Sequence, residues 1–258
     1  RVFVMPHSVN IVTSVLSSTI RRWRGASGSK AVQQPAKLIE LYDCEDDAEC
    51  RLVREALTEL NLDVMIYPCP KGASRFTNAL IDAGGEKATV PFLIDPNSHV
   101  KLHGAEAINA YLFQQYRQQS IPNALDANFF NLATSRLASI VRFNIRGLKA
   151  IPSKAPELPL ILYSFEASPY SRPVRERLCQ LELPYHLINL GKQQLADVGP
   201  AAFRFHRGEY KPLPNSKRAF LLAEKGHVQV PFLRDVNKSI ELFESKDILR
   251  YLDETYAL

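Results

Sequence analysis

Apolar and polar positions along this chain switch between two periods, and the whole sequence of switches occurs twice. In the first pass, residues 37–43 alternate at period two, the mark of a strand with one buried face. Val53, Ala56, Leu57 and Leu60 then recur at i, i+3, i+4 and i+7, which predicts a helix with Asp46 or Asp47 as its N-cap. Residues 64–67 read as a short apolar strand, and 72–83 as a second helix stopped by Gly84-Gly85. Residues 92–94 and 100–103 flank Asp95-Pro96-Asn97, a turn between two strands. Ile108, Leu112 and Tyr116 then fall on one face of a closing helix over 105–116.

The second pass predicts strands near 159–164, 185–189, 230–234 and 239–243, with helices near 168–182 and 245–256. The sequence itself repeats. Residues 41–57 match 162–178 at a shift of 121, and Val90-Pro91-Phe92-Leu93 returns as Val230-Pro231-Phe232-Leu233 at a shift of 140. The second copy has therefore gained 19 residues, which the Pro-rich stretch 191–229 accommodates. Thr13-Ser14, Leu16, Ser18 and Arg21 reappear as Thr134-Ser135, Leu137, Ser139 and Arg142, so a lead-in helix belongs to each copy.

The order βαβ then ββα predicts an α/β chain of two tandem domains, each a mixed four-stranded sheet with helices on both faces. The units are a lead-in over 1–36, a first domain over 37–117, a linker with an amphipathic helix over 118–157, and a second domain over 158–258. Leu132, Leu137, Ile140 and Val141 form the stripe of that linker helix, opposite Arg136 and Arg142, and packing on the domain body is its expected use.

Composition adds bounds. With 46% hydrophobic and 23% charged residues this is an ordinary globular chain, and no apolar run approaches the roughly 18 residues of a membrane span. The net charge of +5 is uneven: residues 1–37 hold six Lys or Arg and no acid, and 118–156 hold five against Asp126 alone. These basic lead-ins are either solvated linkers or docking segments for an acidic partner or an anionic membrane surface. There is no specific nucleic-acid signal. Cys44, Cys50 and Cys69 lie in the first copy and Cys179 in the second, so no disulfide framework is duplicated, which points to a reducing compartment. No cysteine spacing matches a zinc module, so no metal site is assigned. Cys179 reads as a small core residue. Arg51-Arg54 and Arg172-Arg175 recur in both copies, which suggests ion pairs with a nearby acid such as Glu55 or Glu176. The chain begins at Arg1, so removal of an upstream segment is the expectation, and any targeting peptide is invisible in this sequence.

Three motifs carry a resemblance. Ser168-Pro169-Tyr170-Ser171 comes directly after a strand, opens a helix and resembles the Cys-Pro-Tyr-Cys of glutaredoxins. The two Val-Pro pairs resemble the cis-proline signature of the thioredoxin fold, and Glu244-Ser245 is similar to the motif by which glutathione transferases hold the γ-glutamyl group. The arrangement as a whole resembles the tandem glutathione-transferase N-terminal domain proteins of cyanobacteria and plastids. That resemblance implies a thioredoxin-like fold with both Val-Pro bonds cis, and a glutathione-like pocket in the second copy. It also implies a chloroplast or other plastid location, in the stroma or at a membrane, with a mitochondrion as the alternative.

The candidate glutathione contacts implied are Ser168, Tyr170, Val230, Pro231, Glu244 and Ser245. Val230 would offer its backbone as an added strand, Ser168 would sit near the thiol, and glutathione would be the one cofactor. The plainer reading of Ser168 and Ser245 is as helix N-caps. Thiol redox needs an exposed Cys at the helix N-terminus, but Asp47 and Ser168 occupy that position. Ser168 is therefore the one candidate catalytic residue, and none is assigned outright. In the first copy, Gly104-Ala105 replaces Glu244-Ser245. The sequence shows no counterpart of the all-helical domain that completes full transferases. Two functions remain in view. One is a non-catalytic tandem module serving as an accessory subunit of a larger organellar assembly. The other is a glutathione-dependent, transferase- or glutaredoxin-like enzyme working from the second domain.

Overall fold

The computed structural model describes residues 6–29, 34–142, 147–200, 203–205 and 208–258. The first unit contains α1 (His7–Ile20), β1 (Ile39–Asp43), α2 (Ala48–Glu59), β2 (Val64–Pro68), α3 (Thr77–Gly84), β3 (Phe92–Asp95), β4 (Val100–His103) and α4 (Ala105–Arg117). The second contains α5 (Phe129–Val141), β5 (Leu160–Ser164), α6 (Arg172–Gln180), β6 (Tyr185–Asn189), α7 (Lys217–Lys225), β7 (Phe232–Asp235), β8 (Ile240–Leu242) and α8 (Ser245–Tyr256). Two helices start later than their periodicity suggests. Residues 169–171 turn before α6, which opens with Pro173 in its first turn, and α3 opens only at Thr77.

Within each unit the first two strands run parallel and the last two add antiparallel, giving the mixed thioredoxin-like sheet. The joining of the two sheets has no signal in the sequence. β2 pairs antiparallel with β6, so they fuse into one sheet of eight strands in the order β4-β3-β1-β2-β6-β5-β7-β8. Met65 stands opposite His186 at the centre of that junction. They are equivalent positions of the repeat, so a local twofold passes between them.

Strand alternation sorts side chains onto two faces. Ile39, Leu41, Leu160, Leu162, Tyr185 and Leu187 join α2, α4, α6 and α8 in one core that runs under both units. Tyr42 and Phe92 pack with Leu80 of α3 on the other face, as Phe232 does with Leu221 of α7. Both Val90-Pro91 and Val230-Pro231 are cis.

The lead-in helices cross over. α1 packs on α5 and on α6 of the second unit, while α5 packs on α2 of the first. Two equivalent arginines pin the crossing. Arg21 makes a two-point ion pair with Glu55 (2.7 and 2.6 Å) and reaches Asn131 and Thr134 of α5. Arg142 does the same to Glu176 (2.7 and 2.5 Å), Asn10 and Thr13.

Glu55 and Glu176 are therefore already engaged, and the expected partners of the other arginines are corrected. Those arginines pair across the unit boundary. Arg175 meets Glu45 of the first unit at 3.0 Å, and Arg54 meets Glu166 of the second at 3.0 Å. Glu166 also contacts Arg172 (3.1 Å) and Arg175 (2.9 Å). Burial would raise the Glu166 carboxyl, but Arg175, Arg54, Arg172 and Arg51 outweigh it and hold it well below its ordinary value. Arg54 also pairs with Asp43 of its own unit at 2.6 Å, but the links of Arg51 and Arg54 to Glu166 and of Arg175 to Glu45 cross the boundary, so neither unit completes this buried network alone.

Candidate functional site

A cavity of about 720 Å³ opens beside the N-termini of α6 and α8. Ser168, Tyr170, Val230, Pro231, Glu244 and Ser245 all line it. Sequence reasoning put these six together on motif alone. The structure brings them to one wall because β5, β7 and α8 converge there.

Ser168 is buried, and its Oγ accepts the Ser171 N–H (3.2 Å), so the hydroxyl caps the turn that leads into α6. Its own proton has no partner among the described residues. Val230 lies in the loop before β7, and neither its N–H nor its C=O has a backbone partner among the described residues. Glu244 is oriented by Gln229, whose Nε2 donates to Oε1 (2.7 Å). α8 starts without a side-chain cap on its first N–H groups, which leaves a helix N-terminus facing the cavity. Ser245 Oγ instead lies 3.5 Å from His7 Nε2 of the crossed lead-in helix.

The opposite walls come from segments that motif reading did not include. The 19 added residues lie between Lys192 and Lys217 and supply Asp197, Val198, Gly199, Pro200 and Arg204. The turn after α1 supplies Arg22, Trp23 and Ala26. Lys192, Arg204 and Arg218 make this side cationic. Burial lowers the Lys192 ammonium pKa, reinforced by Arg218 and Arg204, and its Nζ lies 5.3 Å from the Phe165 ring centroid. Asp197 accepts from Tyr210 (2.6 Å) and Gln193 (2.9 Å), which anchors the insertion. The signal that could have found this wall was the insertion itself, the one gain that breaks the repeat.

The first unit differs at each step. Glu49 stands where Tyr170 stands in the second, and its Oε2 accepts the Ala105 N–H at 3.1 Å. The N-terminus of α4 is thus occupied by the protein's own carboxylate. Asp47 Oδ1 caps α2 through Glu49 N and Cys50 N, both at 2.9 Å. What remains is a shallower hollow of about 480 Å³ lined by Glu49, Gly104 and Ala105 but not by Val90 or Asp47.

The cysteines lie away from the cavity. Burial pushes the Cys50 thiol well above its ordinary value, helped by Asp43 and Asp47. Cys69 is pushed up to about 12, by burial and then by Asp43. So shifted, these two thiols offer no thiolate at neutral pH. Cys179 is buried, and its Sγ donates to the Gly147 carbonyl at 3.0 Å. All four cysteines are free.

Among the described residues no group of three or more His, Cys, Asp or Glu is arranged to hold a metal ion. No curated protein and no solved structure matches the chain. A protein-family profile, "Glutathione S-transferase, N-terminal domain", matches residues 41–120 and 162–258. Together these stretches span well over half of the sequence and coincide with the two sheet-bearing repeats, so the chain belongs to the glutathione S-transferase N-terminal domain family.

Proposed function

We propose that this protein is a single-site binding module in which the second unit holds a glutathione-class thiol peptide and the first unit serves as scaffold. The observation that carries this reading is the convergence of Val230, Glu244, Ser245 and Ser168 on one cavity, opposite a cationic wall. A γ-glutamyl carboxylate would sit at the uncapped start of α8, with its ammonium at Glu244. The central residue would pair with the Val230 backbone as an added strand. Its thiol would lie by the Ser168 hydroxyl, which can donate to a thiolate but cannot exchange disulfides. The chemistry within reach is thiol activation for addition to an electrophile, not dithiol redox. Lys192 and the insertion take the place of a helical domain in closing the site.

Isothermal titration of the full chain with glutathione tests this. One site is expected, weakened by Glu244→Ala and Ser245→Ala. No heat at millimolar ligand, or two equal sites, sinks the proposal.

A second reading is that of a non-catalytic accessory subunit in a larger organellar assembly, of the plastid type. The basic lead-ins support it. Native mass measurement from cell extract tests it, since a free monomer would refute it.

A further inference from the structure

The paired lead-in helices are amphipathic in the reverse of the usual sense. α1 buries Asn10, Thr13, Ser14, Ser17 and Ser18, and exposes Val9, Val12 and Leu16. α5 buries Asn131, Ser135 and Ser139, and exposes Phe129, Phe130, Leu137 and Ile140. Leu16 and Leu137, equivalent positions of the repeat, are 49% and 48% exposed. The expected packing of the 132–141 stripe on the domain body holds at Leu132, which packs against the shared core, and is corrected at Leu137 and Ile140, which are exposed while Arg142 is buried.

The cause lies in what the helices cover. Ser135 and Ser139 donate to the Ala48 and Asp46 carbonyls at the start of α2, and Ser18 donates to the Ala167 carbonyl before α6. Arg51 donates to the Ser135 carbonyl, and Arg172 to Ser18. A polar underside is required by a polar body, and the apolar residues are left on the outside. Both helices pack against each other and against the charged centre, and both leave their apolar rows exposed.

We infer that this face is a docking surface for an anionic lipid bilayer. No acid occurs in residues 7–29 or 127–142, while Arg22 and Arg136 are exposed at its edges and Trp23 stands at the end of α1. Exposed aromatic and aliphatic side chains with arginine and no acid nearby in the chain suit the headgroup boundary of anionic membranes. Helices of 14 and 13 residues lie on a bilayer rather than cross it. A second copy fits poorly, because an isologous contact would bring the same arginines together with no carboxylate between them.

Trp23, the sole tryptophan, lies in the turn after α1 and also lines the cavity, so its emission is read without glutathione. The full chain should float with vesicles of phosphatidylcholine plus phosphatidylglycerol, with a blue shift of Trp23 emission, and release in high salt. Vesicles of phosphatidylcholine alone should bind it weakly. Leu16→Ser with Leu137→Ser, and separately Arg22→Glu with Arg136→Glu, should each weaken partitioning by roughly tenfold or more. All four side chains are exposed, so thermal unfolding should be unchanged and loss of binding is not loss of fold. Absence of flotation overturns the proposal. So does equal binding to both vesicle types, a dimer abolished by the leucine variants, or a stable complex with an acidic protein formed through this face in place of vesicle binding.

Discussion

The two repeats share a fold, a sheet and a charge network, yet they treat one location in opposite ways. At the N-terminus of its last helix, the first unit places Glu49 against the Ala105 N–H. The second has Tyr170 at the equivalent position and leaves α8 without a side-chain cap, facing a cavity. The first turns directly from β2 toward α3, whereas the second inserts 19 residues that raise a cationic wall. The first repeat thus fills the start of its last helix with its own carboxylate, whereas the second leaves that start open to a cavity, which is the contrast the proposed function rests on.

The largest test of this comparison lies in the shared network. Among the described residues Glu166 faces four guanidinium groups, whereas Glu45 pairs with two, those of Arg54 and Arg175. Glu166→Ala should destabilise the protein by about 3–5 kcal/mol in urea unfolding, and Glu45→Ala by less. Equal losses would contradict the asymmetry.

Next in size is a pH effect confined to the first unit. Burial raises the Asp46 carboxyl from 3.8 to about 7, with Arg51 opposing and Glu176 adding to the rise. The second unit has Ala167 there. The folded chain keeps this proton up to about pH 7, whereas the unfolded chain releases it near 4. Stability therefore falls as pH rises through that window. Asp46→Asn should be more stable than the parent at pH 8, by on the order of 2–4 kcal/mol, and the advantage should vanish below about pH 4. An advantage independent of pH would refute this origin.

Ligand contacts come third. Glu244→Ala should weaken glutathione binding by about 1–3 kcal/mol. Glu49→Ala, which uncaps α4, should not by itself create a second site, because Gly104-Ala105 offers no side-chain partner. Titration stoichiometry decides both.

The smallest effect expected is in thiol reactivity. With burial raising Cys50 and Cys179 well above their ordinary values and Cys69 to about 12, alkylation of the native protein at neutral pH should be slow. Rapid modification of Cys50 would show that the start of α2 opens, contrary to its capped geometry.

Much was legible in the chain because it is written twice. The repeat gave the element order, and a change of period from two to 3.6 separated strands from helices. The exchange of Glu244-Ser245 for Gly104-Ala105 marks the difference between the units in the sequence itself. Those signals are local: each depends on residues a few positions apart, whose relation is set by backbone geometry. The edge pairing of β2 with β6, the crossing of α1 and α5, and the reciprocal ion pairs of Arg54 and Arg175 were not legible. They join residues more than a hundred positions apart, through surfaces that either repeat could have presented to solvent. The same holds for the stripe on α5. The sequence specifies that one side is apolar, but only the polar body beneath decided that this side faces outward.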